Sequence, residues 1–209
     1  MKIVKLFVAG LCVVALAACC AKTTETEEVM KYENKTIESI MERRSIRKYK
    51  PETVARETLE KIMECGINAP NGQNKQSWEV RVVDNPEVMA EINAVIAEAY
   101  GEKAEMAVGC FRGAPVMVFI ARDLAYDFSA YDCGLLAENI MLSAQSLGVG
   151  SICLGSPVRI INDNEACAPV LERLGFSEGY EFCLCVGLGY ADEAPEAKPR
   201  MKEKVKFVE

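Results

Sequence analysis

Helices interspersed with strands, in a domain of ordinary size, is the architecture this sequence predicts, on three observations. Apolar residues recur at helical spacing in several segments. Short β-rich runs fall between them, such as Trp78 to Val83 (WEVRVV) and Pro115 to Ala121 (PVMVFIA). One long segment, Tyr131 to Leu147, is apolar nearly all round, which places a helix in the middle of a core or at a subunit interface. The chain has 209 residues, 50% hydrophobic and 26% charged, enough for a genuine core.

Residues 1–18 read as a targeting segment, with Lys2 and Lys5 ahead of an apolar run from Leu6 to Ala18 that is short for a membrane span. Leu16-Ala17-Ala18-Cys19 at its end resembles the lipobox of bacterial lipoproteins. The resemblance implies cleavage before Cys19, lipidation of Cys19, and a lipid-anchored, extracytoplasmic place in the bacterial cell envelope. Residues 19–35 are polar, charged and aperiodic, a tether to the domain at 36–209.

Thr36 is a plausible N-cap for a first helix carrying Ile37, Ile40 and Met41 and running into Glu42-Arg43-Arg44. Pro51 then disfavours helix at Lys50. A second helix runs from about Ala55 to Ile67, with Leu59, Ile62 and Met63 inward, and ends in Asn68 to Asn74, a loop dense in turn residues. Strand Trp78 to Val83, helix Pro86 to Tyr100 and the continuous apolar strand Pro115 to Ala121 follow. After the long helix, Gly148-Val149-Gly150 is a stop. Ser151 to Leu154 is a strand, Asn164 to Leu174 a short helix interrupted by Pro169, and Tyr180 to Leu188 the last strand.

The formal charge of −7 argues against a nucleic-acid partner, since such proteins gain affinity from a basic surface. There is no histidine, which removes Ser-His-Asp and Cys-His catalysis and imidazole-based zinc sites. Of ten cysteines, Cys12 and Cys19 belong to the leader and its cleavage site. Cys20 is in the tether, and Cys65, Cys110, Cys133, Cys153, Cys167, Cys183 and Cys185 fall in the domain. Most sit in apolar runs, so buried free thiols are expected. Strand alternation puts Cys183 and Cys185 on one face, but no second pair stands at zinc spacing, and no metal site is expected.

Arg43-Arg44-Ser45-Ile46-Arg47 packs three guanidinium groups into five residues of an acidic protein. Taken alone, it suits a helix end, where cations face the negative pole of the macrodipole, or a clamp for an anion. Gly187 and Gly189 follow a strand but open no helix, which excludes a dinucleotide-binding loop.

Taken together, Arg43 to Arg47, Ala69 to Trp78 (APNGQNKQSW), the long helix with Asp132 and Asn139, Leu147 to Gly150, and Lys198-Pro199-Arg200 resemble the FMN-dependent nitroreductase family. The likeness covers roughly residues 36 to 206. It implies an α+β fold, a mixed, mainly antiparallel sheet flanked by helices, in an intimate homodimer with two FMN sites at the interface. It assigns Arg43 and Ser45 to the phosphate and ribityl end of FMN, with Arg44 beside them, and brings Lys198 and Arg200 back to the phosphate. Arg47 falls at the N1/O2 edge, where a cation stabilises the reduced, anionic flavin. Pro70, Asn71, Gly72 and Asn74 are implied contacts from the second chain. Leu154, Gly155 and Ser156 are implied near N5, where glycine permits close backbone approach. The family usually has a small hydroxyl residue at the position of Asn71 or Gly72, and proline at that of Ser77.

The activity implied is ping-pong reduction of a small-molecule acceptor, such as a nitroaromatic, quinone or enone, with no protein acid or base. The donor in the family is NAD(P)H, which an exported lipoprotein would not meet freely. The alternatives are a relative performing dehydrogenation, dehalogenation or flavin breakdown, and a lipid-anchored flavin-binding protein without turnover.

Overall fold

The structure is a computed structural model, and it describes residues 34–209. Residues 1–33, on which the expected leader, the expected lipidation at Cys19 and most of the expected tether fall, lie outside the described residues.

Four strands, β1 (Trp78–Val83), β2 (Val116–Asp123), β3 (Gly150–Leu154) and β4 (Tyr180–Gly189), form a sheet in the order β1-β2-β4-β3. Each strand pairing is antiparallel, and Ser45–Ser151 is an isolated parallel bridge at the β3 edge. The sheet is the middle of three layers. Along β2, Val116, Val118 and Ile120 face a core shared with α2 (Arg56–Ile67) and α5 (Ser129–Ser146). Met117 and Phe119 face the opposite core, with α3 (Pro86–Tyr100), α4 (Ala104–Val108), α6 (Ser156–Asn162) and α7 (Ala168–Leu174). A strand buried on both sides cannot alternate with polar residues, which is why PVMVFIA is apolar without interruption. The central position expected for the long helix holds: Leu136, Ile140 and Ala144 are fully buried.

Several boundaries moved for local reasons. Helix α1 is Lys35–Glu42, and its N-cap is Asn34 rather than Thr36. Asn34 Oδ1 accepts the Thr36 and Ile37 amides at 2.9 and 3.3 Å, a geometry asparagine favours. The segment Asn164 to Leu174 splits into a 3-10 turn, Glu165–Cys167, and α7. Pro169 sits in the first turn of α7, where its missing N–H costs no helical bond. Helix α6 stands where Gly155-Ser156-Pro157 suggests a turn.

The cysteine pair on β4 also departs from expectation. The β2–β4 register shifts between Ile120 and Ala121, so Cys183 is the extra residue of a bulge. Cys183 packs toward the α5 core and Cys185 toward the opposite one, not on a common face. The seven domain cysteines are free, with Cys110, Cys133, Cys167 and Cys185 buried and Cys153 exposed.

Helix α1 buries none of its residues. Its apolar stripe, Ile37, Ile40 and Met41, is 47–51% exposed.

Candidate functional site

The segment between α1 and α2 is a strap laid across the end of the sheet. The Ile46 amide donates to the Ser151 carbonyl (3.0 Å), the Lys50 amide to the Tyr190 carbonyl (2.9 Å), and the Asp192 amide to the Lys48 carbonyl (3.0 Å). Glu193 Oε1 accepts from the Arg47 and Lys48 amides. Gly189 makes this contact possible: a β-carbon there would stand 2.7 Å from Pro115 and 2.8 Å from the Tyr49 ring.

Because the chain leaving β4 is tied to this strap, its continuation returns to the arginines. Arg43, Arg44, Ser45 and Arg47 line a cavity of about 140 Å³ together with Lys198 and Arg200. Six of the expected site residues, four from one end of the domain and two from the other, thus share a wall. Among the described residues, none of the five cations is in an ion pair. Arg47 Nη1 donates to the Ser45 carbonyl (2.9 Å), and Arg200 Nη1 to the Lys198 carbonyl (2.9 Å). Arg44 is turned away from this task, donating to Met41 O and Arg43 O at the end of α1. The Arg43 guanidinium acts on the exposed Cys153 of β3. Desolvation, then Glu138, hold that thiol above its ordinary range, and Arg43 pulls the other way. The Ser151 hydroxyl, buried beside the strap, has no partner among the described residues. Unpaired guanidinium and ammonium groups around one small cavity repel each other and suit a dianion such as a phosphate monoester.

Leu154 is buried at the end of β3, while Gly155 and Ser156 are exposed where the chain turns into α6. Ser156 opens on a groove of about 520 Å³ lined by Tyr100, Met106, Arg159 and Ile160. These groove residues carry no signal in the sequence, because α3, α4 and α6 meet only in three dimensions.

Pro70, Asn71, Gly72 and Asn74 lie elsewhere, beside the N-terminus of α5: the Gly72 amide donates to Asp132 Oδ1 at 3.0 Å. Gln145, near the other end of α5, lines a neighbouring cavity that Arg44 also borders. Asp132 and Gln145 are separated by about 20 Å along the helix. One chain therefore does not bring the Pro70–Asn74 loop to the arginines.

The nitroreductase family model matches residues 40–190. A nitroreductase with bound FMN from Desulfitobacterium hafniense is 35% identical, with a TM-score of 0.74 over 84% of this chain and 99% of that one. A nitroreductase with bound FMN from Bacteroides fragilis is 26% identical, with a TM-score of 0.75 over 84% of this chain and 100% of that one. NADPH-flavin oxidoreductase of Vibrio harveyi is 31% identical over 82% of this chain and 72% of its own length. From the arginine strap to the end of β4 the match is continuous, and the chain belongs to the nitroreductase family.

Proposed function

We propose that this protein is an FMN-dependent oxidoreductase that reduces small electron-poor acceptors. The observation that carries the reading is the convergence of Arg43, Arg47, Lys198 and Arg200, with the Ser45 hydroxyl, on one cavity at the β3 edge. The donor set fits the phosphate of FMN. Arg43, Lys198 and Arg200 would hold the phosphate and Ser45 the ribityl end, while Arg47 would hold the N1/O2 edge. Leu154, Gly155 and Ser156 would meet the N5 edge from the end of β3. When bound, FMN supplies the two-electron transfer, so the absence of histidine is no obstacle. The groove beyond Ser156, with Met106, Tyr100 and Ile160, offers an apolar seat for a flat acceptor.

The site is a two-chain site in this reading. The position of the Pro70–Asn74 loop at the N-terminal end of α5, with Arg44 beside Gln145 near the other end, supports it, since a second copy can carry that loop to the first copy's cavity. The unburied apolar stripe of α1 supports it too.

Residues 1–18 are read as a lipoprotein leader and Cys19 as the lipidated residue, which would anchor the domain in the cell envelope. Labelling with a radioactive fatty acid tests this, the label being lost in Cys19→Ala.

The absorbance spectrum of the purified protein tests the function. A flavin spectrum is expected, followed by bleaching when NADPH, the donor in the Vibrio harveyi enzyme's name, or NADH is mixed anaerobically. In an envelope protein a reduced electron carrier takes the donor's place. A colourless protein that acquires no flavin absorbance on incubation with FMN defeats the proposal.

A further inference from the structure

Gln73, Asn74 and Gln76, at φ of 55°, 55° and 49°, place three residues of one short loop in the left-handed region that side chains rarely adopt. Such a loop keeps its shape only when its surroundings over-determine it. The loop runs from the end of α2 into β1. Its internal bonds are three: Asn71 Oδ1 accepts the Gln76 amide (2.8 Å), the Lys75 amide donates to the Gly72 carbonyl (3.0 Å), and the Asn74 amide to the Asn71 carbonyl (3.3 Å).

One side chain reaches both ends of the loop, while the Asp123 amide donates to the Ser77 carbonyl (3.1 Å) and the Lys75 ammonium lies over the Tyr126 ring (4.5 Å). Asp132, 3% exposed in the first turn of α5, accepts the Gly72 amide on Oδ1 (3.0 Å) and the Ser77 hydroxyl on Oδ2 (2.7 Å). Ser77 is itself 1% exposed. No cation pairs with this carboxyl group among the described residues. Its compensation for burial is those two hydrogen bonds and the positive pole of α5. The dependence is therefore mutual: the carboxyl needs the loop to satisfy its oxygens, and the loop has Asp132 at both ends.

We propose that Asp132 is a positioning residue that fixes the Asn71–Ser77 loop and so sets where Asn71, Gly72 and Asn74 meet the cofactor. The second half rests on the FMN reading above. Asp132 touches no cofactor and acts through the backbone of Gly72 and the side chain of Ser77. Its isostere makes a sharp control. In Asp132→Asn the amide oxygen can still accept from Gly72, and the amide nitrogen can donate to Ser77, whose hydroxyl can reverse its role.

The test measures two quantities on full-chain protein: hydrogen exchange at the Gly72 and Lys75 amides without FMN, and the FMN dissociation constant. In Asp132→Ala, both amides should exchange about tenfold faster and FMN should bind about tenfold more weakly, the effect of losing strong buried hydrogen bonds. Exchange in β2 and β4 should stay unchanged. Asp132→Asn should remain within about threefold of the parent on both measures. If Asp132→Ala does not fold, Ser77→Ala, which leaves the Gly72 bond in place, should show the same pattern at smaller size. Unchanged loop exchange and unchanged affinity in these variants would overturn the proposal. So would exchange that rises equally in β2 and β4, since the role would then be general stability. If the parent protein binds no FMN, the cofactor reading fails, and the exchange comparison alone decides whether Asp132 anchors the loop.

Discussion

Arg44 Nη1 donates to the Met41 carbonyl at 2.7 Å and to the Arg43 carbonyl at 2.9 Å, while the Arg43 guanidinium makes no hydrogen bond within the described residues. Two adjacent arginines thus take different tasks: Arg44 closes α1, and Arg43 stays available to a ligand. Arg44→Ala should lower the stability of FMN-free protein by about 0.5–1 kcal/mol, the loss of a partly exposed cap and its dipole interaction. Arg43→Ala should leave that stability unchanged and weaken FMN binding by about tenfold to a hundredfold, the worth of a charge-assisted bond. Thermal melts of FMN-free protein beside flavin-fluorescence titrations separate the two. Equal losses of both kinds in both variants would contradict the division.

Arg47 is exposed, and the hydrogen bond of its guanidinium to the Ser45 carbonyl leaves its other nitrogens free. A cation at the N1/O2 edge stabilises the reduced, anionic ring, so removing it makes reduction harder. Arg47→Ala should lower the midpoint potential by about 30 mV, equivalent to about 1.4 kcal/mol for a two-electron couple. Dye equilibration on the FMN-loaded fraction measures it. A variant that sheds FMN without any change in potential places Arg47 with the phosphate instead.

Much of the fold was legible because its strongest elements are single-mindedly patterned. Strands β1 and β4 and helix α3 stand where alternation or helical spacing placed them, and α5 is central as its nearly continuous apolarity implied. Local ambiguities account for the misses. Gly155-Ser156-Pro157 satisfies a turn and equally a helix start with proline in the first turn, and packing of Ile161 into the core selects the helix. Cys183 changes face through a bulge, which leaves no mark in a one-strand pattern. In the site, the arginine cluster was visible, but nothing local joins Lys198 and Arg200 to it. Only the family likeness made that link, and the Glu193 and Asp192 contacts show physically how the tail is led back. The stripe on α1 was legible as apolar, but no pattern in one chain says what covers it.

The Tyr126 hydroxyl occupies the space above Gly72: a β-carbon there would lie 1.9 Å from it and 3.0 Å from the ring carbon Cζ. Gly72→Ala must therefore displace the ring, giving up its stacking beneath Lys75 Nζ (4.5 Å) and its edge contact with Phe128. The expected cost is about 1–2 kcal/mol. Tyr126→Ala incurs the same losses while opening the space, so the double variant should be no less stable than Tyr126→Ala alone. A denaturant double-mutant cycle reads the coupling. Additive losses would show that Gly72 is required for another reason.

The Cys133 thiol lies 3.7 Å from the Ala121 carbonyl, beside the bulge, and faces Cys183, to which its single proton can be donated instead. Hydrogen bonding from Cys133 lowers the Cys183 thiol below its ordinary range, burial opposes this, and Arg122 assists it. Cys110, by contrast, is pushed up to about 12 by burial. Since the thiolate is the nucleophile, Cys183 should alkylate at lower pH than Cys110, and Cys133→Ala should move its pH profile upward. Peptide mapping after timed iodoacetamide treatment resolves each cysteine. A Cys183 profile untouched by Cys133→Ala would show that the neighbouring thiol does not act on it.

The apolar stripe of α1 is the most direct handle on whether the site needs two chains. Ile37 and Ile40 are 47% and 51% exposed, and on neighbouring α5 Tyr131 and Leu135 are 70% and 45% exposed. Each such side chain covered by a partner contributes about 1–3 kcal/mol, so two introduced carboxylates would prevent a second copy from docking there. In a single chain the same positions are solvated, and Ile37→Asp with Ile40→Asp should leave the isolated domain folded. The double variant should sediment as a monomer. Because its Pro70–Asn74 loop remains at the other end of α5 from its own Arg44, it should also lose at least about tenfold in FMN affinity although Arg43, Lys198 and Arg200 are intact. A monomeric double variant that binds FMN as tightly as the parent would show that one chain completes the site, and would return the loop to a purely structural role.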